Sequence, residues 1–548
     1  MSETSKPLTP NEGFKLSSDF LRTGIAEAIA DTTSGSVDAR EQQLLKFHGL
    51  TLQDDRDLRT ERKKQGLDKA WSFMIRLRLP GGKIDPKQWL QIDALADSYA
   101  NGTLKLTTRQ AIQLHGVLKS DVKATLQALD AAALHCLGGS GDAVRNVMSC
   151  VNPSQSPLHQ EVYDLAKHLS VELEPQTQAY REIWLNEERV QFGDNEEPLF
   201  GKTYLPRKFK LAVALPPEND VDIYTQDLGF VAIVENGAII GYNVLVGGGS
   251  GYAYGNPNSF PRIADIIGFI QPDEVLEVAK AVVKIHRDYG DRTDRKTARL
   301  RYVLAKYGVE WFKDRLKEYR QKDIDAPKSF SFHQNTDVFE AKSDSIIIPV
   351  EGGRVRSSLR EAIREIAKIH NGVFYITANQ NFIIADIAED KKPLIDSIII
   401  KYGVNQPISG IRRDSSACTA LPYCPMAFSN SERLLPDVIS GLEVILKELD
   451  LESLPITTRM TGCPNGCTRP SVAELSFVAK GPNKYNIWLG GSRIGNRLSY
   501  LFKESVNADD LSDSLKPVFI EFAKTRRDEQ GFGDWAFENS DRLLSQFV

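Results

Sequence analysis

The chain has 548 residues, long for a single hydrophobic core, so three or four domains are expected. Its 68 basic and 73 acidic residues leave a net charge of -5, which excludes a global basic field for nucleic acid or an anionic membrane; any anion site must be local. The N-terminus has neither a basic nor an apolar leader region, no run of 18 apolar residues occurs, and six cysteines are too few for a disulfide scaffold, so a reducing, cytoplasmic location is expected.

In chain order, residues 1–45 are polar and rich in Ser and Thr, and read as an arm, a candidate docking element that folds on a partner. KFHGLTLQDDRDLRTERKKQG (46–66) alternates charge densely and reads as a solvated or partner-facing segment. In WSFMIRLRLPGG, strand alternation puts Trp71, Phe73, Ile75, Leu77 and Leu79 on one face and Arg76 with Arg78 on the other.

The next stretch is the first copy of a repeat. PGGKIDPKQWLQIDALADSYANGTLKLTTRQAIQLHGV (80–117) answers VEGGRVRSSLREAIREIAKIHNGVFYITANQNFIIADI (350–387). Each reads as a Gly-Gly turn, an amphipathic helix (Trp89, Ile92, Leu95, Ala96; Leu359, Ile363, Ile366, Ala367), an Asn-Gly stop, then an alternating strand. In the first copy that strand places Thr107, Arg109, Gln113 and His115 on one face. A second pair follows: FVAIVENGAIIGYNVLVGG (230–248) answers FVAKGPNKYNIWLGG (477–491). The organisation is A-B-A'-B', with the active site expected in the cleft where the halves meet.

Between the repeats lie candidate chemical groups. Arg145 stands where A hands over to B, and YLPRKFKLAVALPP points Phe209, Leu211, Val213 and Leu215 inward with Lys208 and Lys210 opposite. These cation-bearing stretches all belong to the first half, a pattern suited to a polyanionic cofactor and a small oxyanion. VGGGSGYAYGN (246–256) is neither a P-loop nor a dinucleotide fingerprint; its glycines would let backbone approach a large flat ligand. The eight histidines read as structural, and Cys136 and Cys150 as small buried thiols.

The remaining four cysteines fall in two pairs in B' alone: Cys418 and Cys424 in SSACTALPYCP, and Cys463 and Cys467 in TGCPNGCTRP. Four thiolates admit an iron-sulfur cluster, a structural zinc ion or unliganded core thiols; the spacing is unusual for zinc, and Pro beside a cysteine is frequent at clusters.

Taken together, the cysteine pairs, the duplicated PGG-to-TxRQ unit, VRNV and YLPRKFK resemble the hemoprotein (beta) subunits of assimilatory sulfite reductases, in the siroheme sulfite/nitrite reductase family; the similarity spans about residues 45–545. The resemblance implies an α+β, internally duplicated fold of two ferredoxin-like half-domains (46–130 and 331–405) and two α/β siroheme-binding domains (131–330 and 406–548) related by a pseudo-twofold axis. It implies a [4Fe-4S] cluster on Cys418, Cys424, Cys463 and Cys467, with Cys467 bridging to siroheme iron. It further implies that Arg76, Arg145, Lys208 and Lys210 surround bound sulfite, and that Arg109 and Arg299 pair with siroheme carboxylates. Thr468 departs from the family, where many relatives have Gly, and bears on the local turn.

The activity so implied is six-electron reduction of sulfite to sulfide in sulfate assimilation and cysteine biosynthesis. A siroheme nitrite reductase is the near alternative, and a noncatalytic four-cysteine zinc protein the distant one. With no flavin or NADP signature, the chain must take electrons from a partner. FHGLTLQDDRDLRTER resembles the NADPH-dependent hemoproteins, whose donor is a diflavin flavoprotein subunit; ferredoxin is the alternative.

Overall fold

The structure, a computed structural model, describes residues 6–150, 156–185, 197–333, 344–404 and 408–547. The first A unit carries β1 (Leu50–Asp54), β2 (Trp71–Arg76), β3 (Lys83–Ile84), β4 (Leu104–Leu106) and β5 (Ile112–Val117). The first B unit carries β6 (Leu211–Ala214), β7 (Leu228–Glu235), β8 (Ala238–Val246) and β9 (Asp265–Ile270). The second copies follow: β10 (Ile346–Ile348), β11 (Arg354–Val355), β12 (Val373–Ile376) and β13 (Phe382–Ala385), then β14 (Ser415–Ala417), β15 (Thr458–Thr461), β16 (Leu475–Gly481), β17 (Lys484–Leu489) and β18 (Tyr500–Asn507).

The A units do not stand side by side as closed sheets; they exchange strands. One sheet runs β1-β2-β5-β4-β11 and the other β10-β13-β12-β3, so each copy lends the two-residue strand after its Gly-Gly turn to its sibling. The glycines permit this. A Cβ on Gly82 (φ +74°) would sit 2.3 Å from the Ile376 carbonyl, and one on Gly353 (φ +71°) 2.6 Å from that of Leu106, a matched pair of clashes. The repeated helices, Pro86–Ser98 and Ser357–Ile369, bury their apolar stripes against these sheets. Asp85 caps the first with a reciprocal Gln88 box, and buried Arg360 and Asp93 join the two at 2.6 Å.

The B units repeat as well. In each, two parallel strands (β6 with β7; β15 with β16) lead into antiparallel ones (β8 and β9; β17 and β18), and the matched Phe-Val-Ala stretches lie on β7 and β16. No helix among the described residues is long and apolar enough to cross a membrane.

Four local expectations need correction. The N-terminal segment is not a free arm: three helices (Pro10–Leu16, Ile25–Ala30, Ala39–Phe47) and the turns between them send Leu21, Ile25, Val37, Leu44 and Leu45 into the main core. Lys15 there donates to the Leu205 carbonyl at 2.8 Å, and Arg22 pairs with Glu182 at 2.5 Å. The charged segment divides: Leu50 and Leu52 on β1 are buried, whereas the helix Arg59–Lys64 buries nothing. Arg78 does not share the direction of Arg76. Beyond the end of β2 its buried guanidinium donates to the carbonyls of Val144 (2.9 Å) and Ser170 (2.7 Å), a structural tie. Finally, TTRQ is a turn between β4 and β5 rather than part of one strand, with Gln110 at φ +52°.

Candidate functional site

The cysteine loops hang from the ends of parallel strands in B'. Cys418 follows β14 and Cys463 follows β15, where open α/β edges present ligand groups. The Cys418 sulfur accepts from the Gly462 amide at 3.2 Å. Cys463 is buried, Cys418 and Cys424 are half-buried, and Cys467 alone is exposed, between buried Gly466 and Thr468. The Cys467 carbonyl accepts from Thr108 Oγ1 at 2.8 Å, which brings the TTRQ turn of the first half onto the last cysteine. Thr468 fits without strain: its hydroxyl reaches the Met460 carbonyl at 3.3 Å, and the left-handed positions are Gly466 (φ +64°) and Arg469 (φ +59°) on either side of it.

Burial, and then the negative charge of Cys467, Cys418 and Cys424, pushes the Cys463 thiol up; burial with Cys467 and Cys418 pushes Cys424 up to about 12. All four thiols thus share one electrostatic neighbourhood. Such thiols ionise when a cation is supplied to them. Among the described residues, however, no three His, Cys, Asp or Glu side chains are gathered to hold a metal ion. A single zinc draws its thiolates within about 2.3 Å of one point, whereas a four-iron cluster holds its thiolates at separate irons. Four mutually interacting free thiols on two loops are a donor set that a four-iron cluster takes.

Opposite the cysteines lies a cleft of about 350 Å³, within the range of cofactor sites. The first half supplies a cationic wall, Arg207, Lys208, Arg295, Lys296, Arg299 and Arg301; B' supplies Cys463, Pro464 and Asn465, with Met426 and Phe428. The Gly-rich run approaches the cysteine loop itself: a Cβ on Gly251 would lie 2.1 Å from the Asn465 carbonyl, and the Tyr252 amide donates to Pro464 O at 2.9 Å. Its glycines serve backbone-on-backbone contact, while Gly251, Tyr252 and Tyr254 also line the cleft.

Of the cations singled out from sequence, Lys208 and Arg299 line this cleft, while Arg76, Lys208 and Lys210 each feel the charge of Cys467. Arg76 and Arg145 both donate to the Gly139 carbonyl at 3.2 Å, and Arg76 also to Ser140 Oγ at 3.2 Å. Burial lowers the pKa of Arg76, while the nearby Cys467 and Cys424 favour its charge. Burial and the neighbouring Arg207 bring Lys208 down to about 7, against the pull of Cys467. Lys210 is held well below its ordinary value by burial, Lys208 and Arg109. These shifts record cations crowded beside the exposed thiol with too few anions among them.

Arg109 spans the turn and the B unit, donating to Gln226 Oε1 (2.9 Å) and to the carbonyls of Asn146 (2.6 Å) and Leu211 (3.0 Å). Its buried Nε has no partner among the described residues, nor have Nε and Nη1 of Arg301. Unsatisfied guanidinium groups at a cleft are what an anionic, carboxylate-rich ligand would complete. Arg299 is more committed: it grips Asp227 through Nε (3.0 Å) and Nη2 (2.6 Å), leaving only its remaining N–H groups for a ligand.

Sequence reasoning missed Arg207, Arg295, Lys296 and Arg301. The signal was present in RTDRKTARLR (292–301), five cations in ten residues. It also missed a buried ion cluster, where Asp222 binds both Arg459 and Arg469, and Arg469 donates to the carbonyls of Thr108 and Ala378. Those two carbonyls occupy equivalent turns of the A and A' copies, so Arg469 ties the repeats together at the cysteine loop.

Fold and site define a redox metalloprotein: a duplicated scaffold in which a four-thiol lobe faces a cationic lobe across a cofactor-sized cleft. The family described as nitrite and sulphite reductase 4Fe-4S domain matches residues 140–324, and the nitrite/sulfite reductase ferredoxin-like half domain matches residues 68–132 and 341–402. The sulfite reductase [NADPH] hemoprotein beta-component of Oceanobacillus iheyensis is 45% identical over 98% of this chain and 95% of its own length. The protein of the same name from Staphylococcus saprophyticus is 43% identical over 98% of this chain and 97% of its own. Among solved structures, the NirA protein of Mycobacterium tuberculosis shares the fold, with a TM-score of 0.75 at 22% identity over 98% of both chains. The chain belongs to the nitrite and sulfite reductase family.

Proposed function

We propose that this chain is the hemoprotein component of an NADPH-dependent sulfite reductase, reducing sulfite to sulfide by six electrons in sulfate assimilation. Near-full-length similarity to proteins of that name supports the reading. The observation that carries it is the crowding of Arg76, Lys208 and Lys210 near the exposed Cys467, beside a cleft that Lys208 and Cys463 line. In this reading Cys418, Cys424, Cys463 and Cys467 hold a [4Fe-4S] cluster. Cys467, the exposed thiol of the four, would also serve siroheme, and Arg109, Arg301 and the remaining N–H groups of Arg299 would take its carboxylates. When bound, cluster and siroheme supply single electrons to the anion.

The protein groups do the rest. Arg76 and Arg145 do not titrate; they hold sulfite and offset its charge as electrons arrive. Lys208, with a pKa brought down to about 7, binds an oxyanion as ammonium and releases its proton at neutral pH, the property wanted where an S–O bond breaks. Lys210, crowded further, backs it.

The electron donor in this reading is a diflavin flavoprotein that oxidises NADPH, with ferredoxin as the alternative. A cytoplasmic location accords with thiols that must stay reduced to take a cluster. Purified holoprotein tests the whole: it should be coloured, carry four cluster irons and one siroheme iron per chain, and turn over sulfite with a diflavin reductase and NADPH. A colourless protein, faster turnover of nitrite than sulfite, or activity with reduced ferredoxin alone would each overturn one part.

A further inference from the structure

A second polar cavity, of about 70 Å³, adjoins the cleft, and Arg207 and Arg295 line both. Lys15, Lys46 and Arg145 complete its cationic lining, against one lining carboxylate, Asp142. The charge of Asp142 is already shared. Arg295 grips it at 2.6 and 2.9 Å, with Lys15 at 3.7 Å and Arg207 at 4.0 Å. Glu12 stands behind Lys15 at 2.6 Å and also takes Arg292.

Arg145 and Lys46 gain no carboxylate among the described residues: Arg145 donates to the carbonyls of Gly139 and Gly141, and Lys46 to Gln43 Oε1 at 3.1 Å. Positive charge in excess of its counter-charge is costly away from bulk water unless an anion joins it. The strain registers on Lys46, whose pKa burial and then Arg295 bring down to about 8. The volume suits an oxyanion of four or five heavy atoms; two bulk waters would fill about 60 Å³.

We propose that this cavity is a second binding site, for a small inorganic oxyanion of the sulfite or sulfate type, that stages substrate beside the reducing cleft. The staging role rests on the function proposed above; the anion site itself does not. Because Arg207 and Arg295 line both spaces, an anion crossing between them keeps guanidinium partners throughout. The site also gives the N-terminal segment a task, since the helix Pro10–Leu16 contributes Asn11 and Lys15 to its wall.

The test uses holoprotein crystals soaked in selenate, read by anomalous scattering, and steady-state sulfite kinetics of Lys46→Gln and Lys15→Met. Selenium should appear between Lys15, Lys46 and Arg145 in the parent and vanish in Lys46→Gln, whose KM for sulfite should rise about tenfold at unchanged kcat, the loss of one charge-assisted hydrogen bond. Lys15→Met checks the same wall from the other side, and Lys46→Gln keeps the question open to measurement if Lys15→Met does not fold. No selenium in this cavity at saturating selenate, or an unchanged KM, overturns the staging site. Selenium there in a holoprotein that leaves sulfite untouched would retain the anion site and discard the function.

Discussion

The two halves of this molecule are one fold with two chemistries, and strand pairing allows them to be compared residue by residue. Val213 pairs with Phe230 on β7 as Met460 pairs with Phe477 on β16, which sets ALPPEND (214–220) against TGCPNGC (461–467). Pro216 and Asp220 then stand where B' has Cys463 and Cys467, and Lys210 stands where B' has Thr457. Gln110 accepts from the Ser149 amide and Gln380 from the Ala417 amide, both at 3.0 Å, so Cys150 answers Cys418 and Arg109 answers Asn379. Cys150 stays buried and inert, its thiol pushed well up by burial. Each lobe has thus given up what the other supplies. A cation wall beside a thiolate set in one lobe would confine the pairing to one sheet edge; dividing them opens a cleft whose opposite walls carry opposite chemistry.

The comparison breaks most severely at the thiol lobe. Cys463→Ser should lose cluster and siroheme together, as read by iron content and the visible spectrum, and unchanged siroheme would separate the two centres. Cys150→Ser, the matched change in the other half, should leave both intact.

At the cation lobe, Lys208→Met or Lys210→Met should cut sulfite turnover by a factor of about 10² to 10⁴ with cofactors retained, the range for a lost proton donor. Installing methionine at the matched Thr457 should leave turnover within about twofold, since that half holds no substrate in this reading.

Between the lobes, Arg360→Met removes one partner of Asp93 in the helix pair that joins the A units. With Arg364 still paired to Asp93, the loss should be on the order of 2 kcal/mol in denaturant unfolding, below the usual cost of an orphaned buried charge. A null effect would mean that strand exchange alone fixes the halves.

The smallest effect concerns pH. Lys208 has a folded pKa of about 7, below its unfolded value near 10.5, so between these the unfolded chain binds the extra proton and stability rises with pH. Cofactor-free protein should therefore gain melting temperature from pH 7 to 10 more steeply than Lys208→Met. Parallel curves would remove Lys208 from the set of crowded cations.

Much of this was written locally. The repeats, the thiol pairs confined to B', and the alternation that turns Lys208 and Lys210 away from Phe209 and Leu211 are short-range patterns, and the apolar period states which face is inward without reference to any partner. Other features were invisible for a physical reason: they depend on what a residue meets far along the chain. A two-residue strand such as β3 has no period to read, and its place in the sibling's sheet comes from Gly82 fitting under Ile376. TTRQ alternates like a strand but turns, because Gln110 is held by Ser149 and Arg109 by Asn146 and Leu211. The polar N-terminal segment looked too poor in apolar residues to pack, yet Leu21, Ile25, Val37, Leu44 and Leu45 suffice once an existing core offers them a surface. Composition and period determined the parts and their chemistry; only the tertiary structure decided which charges share a cavity, because burial and mutual crowding are properties of neighbours in space.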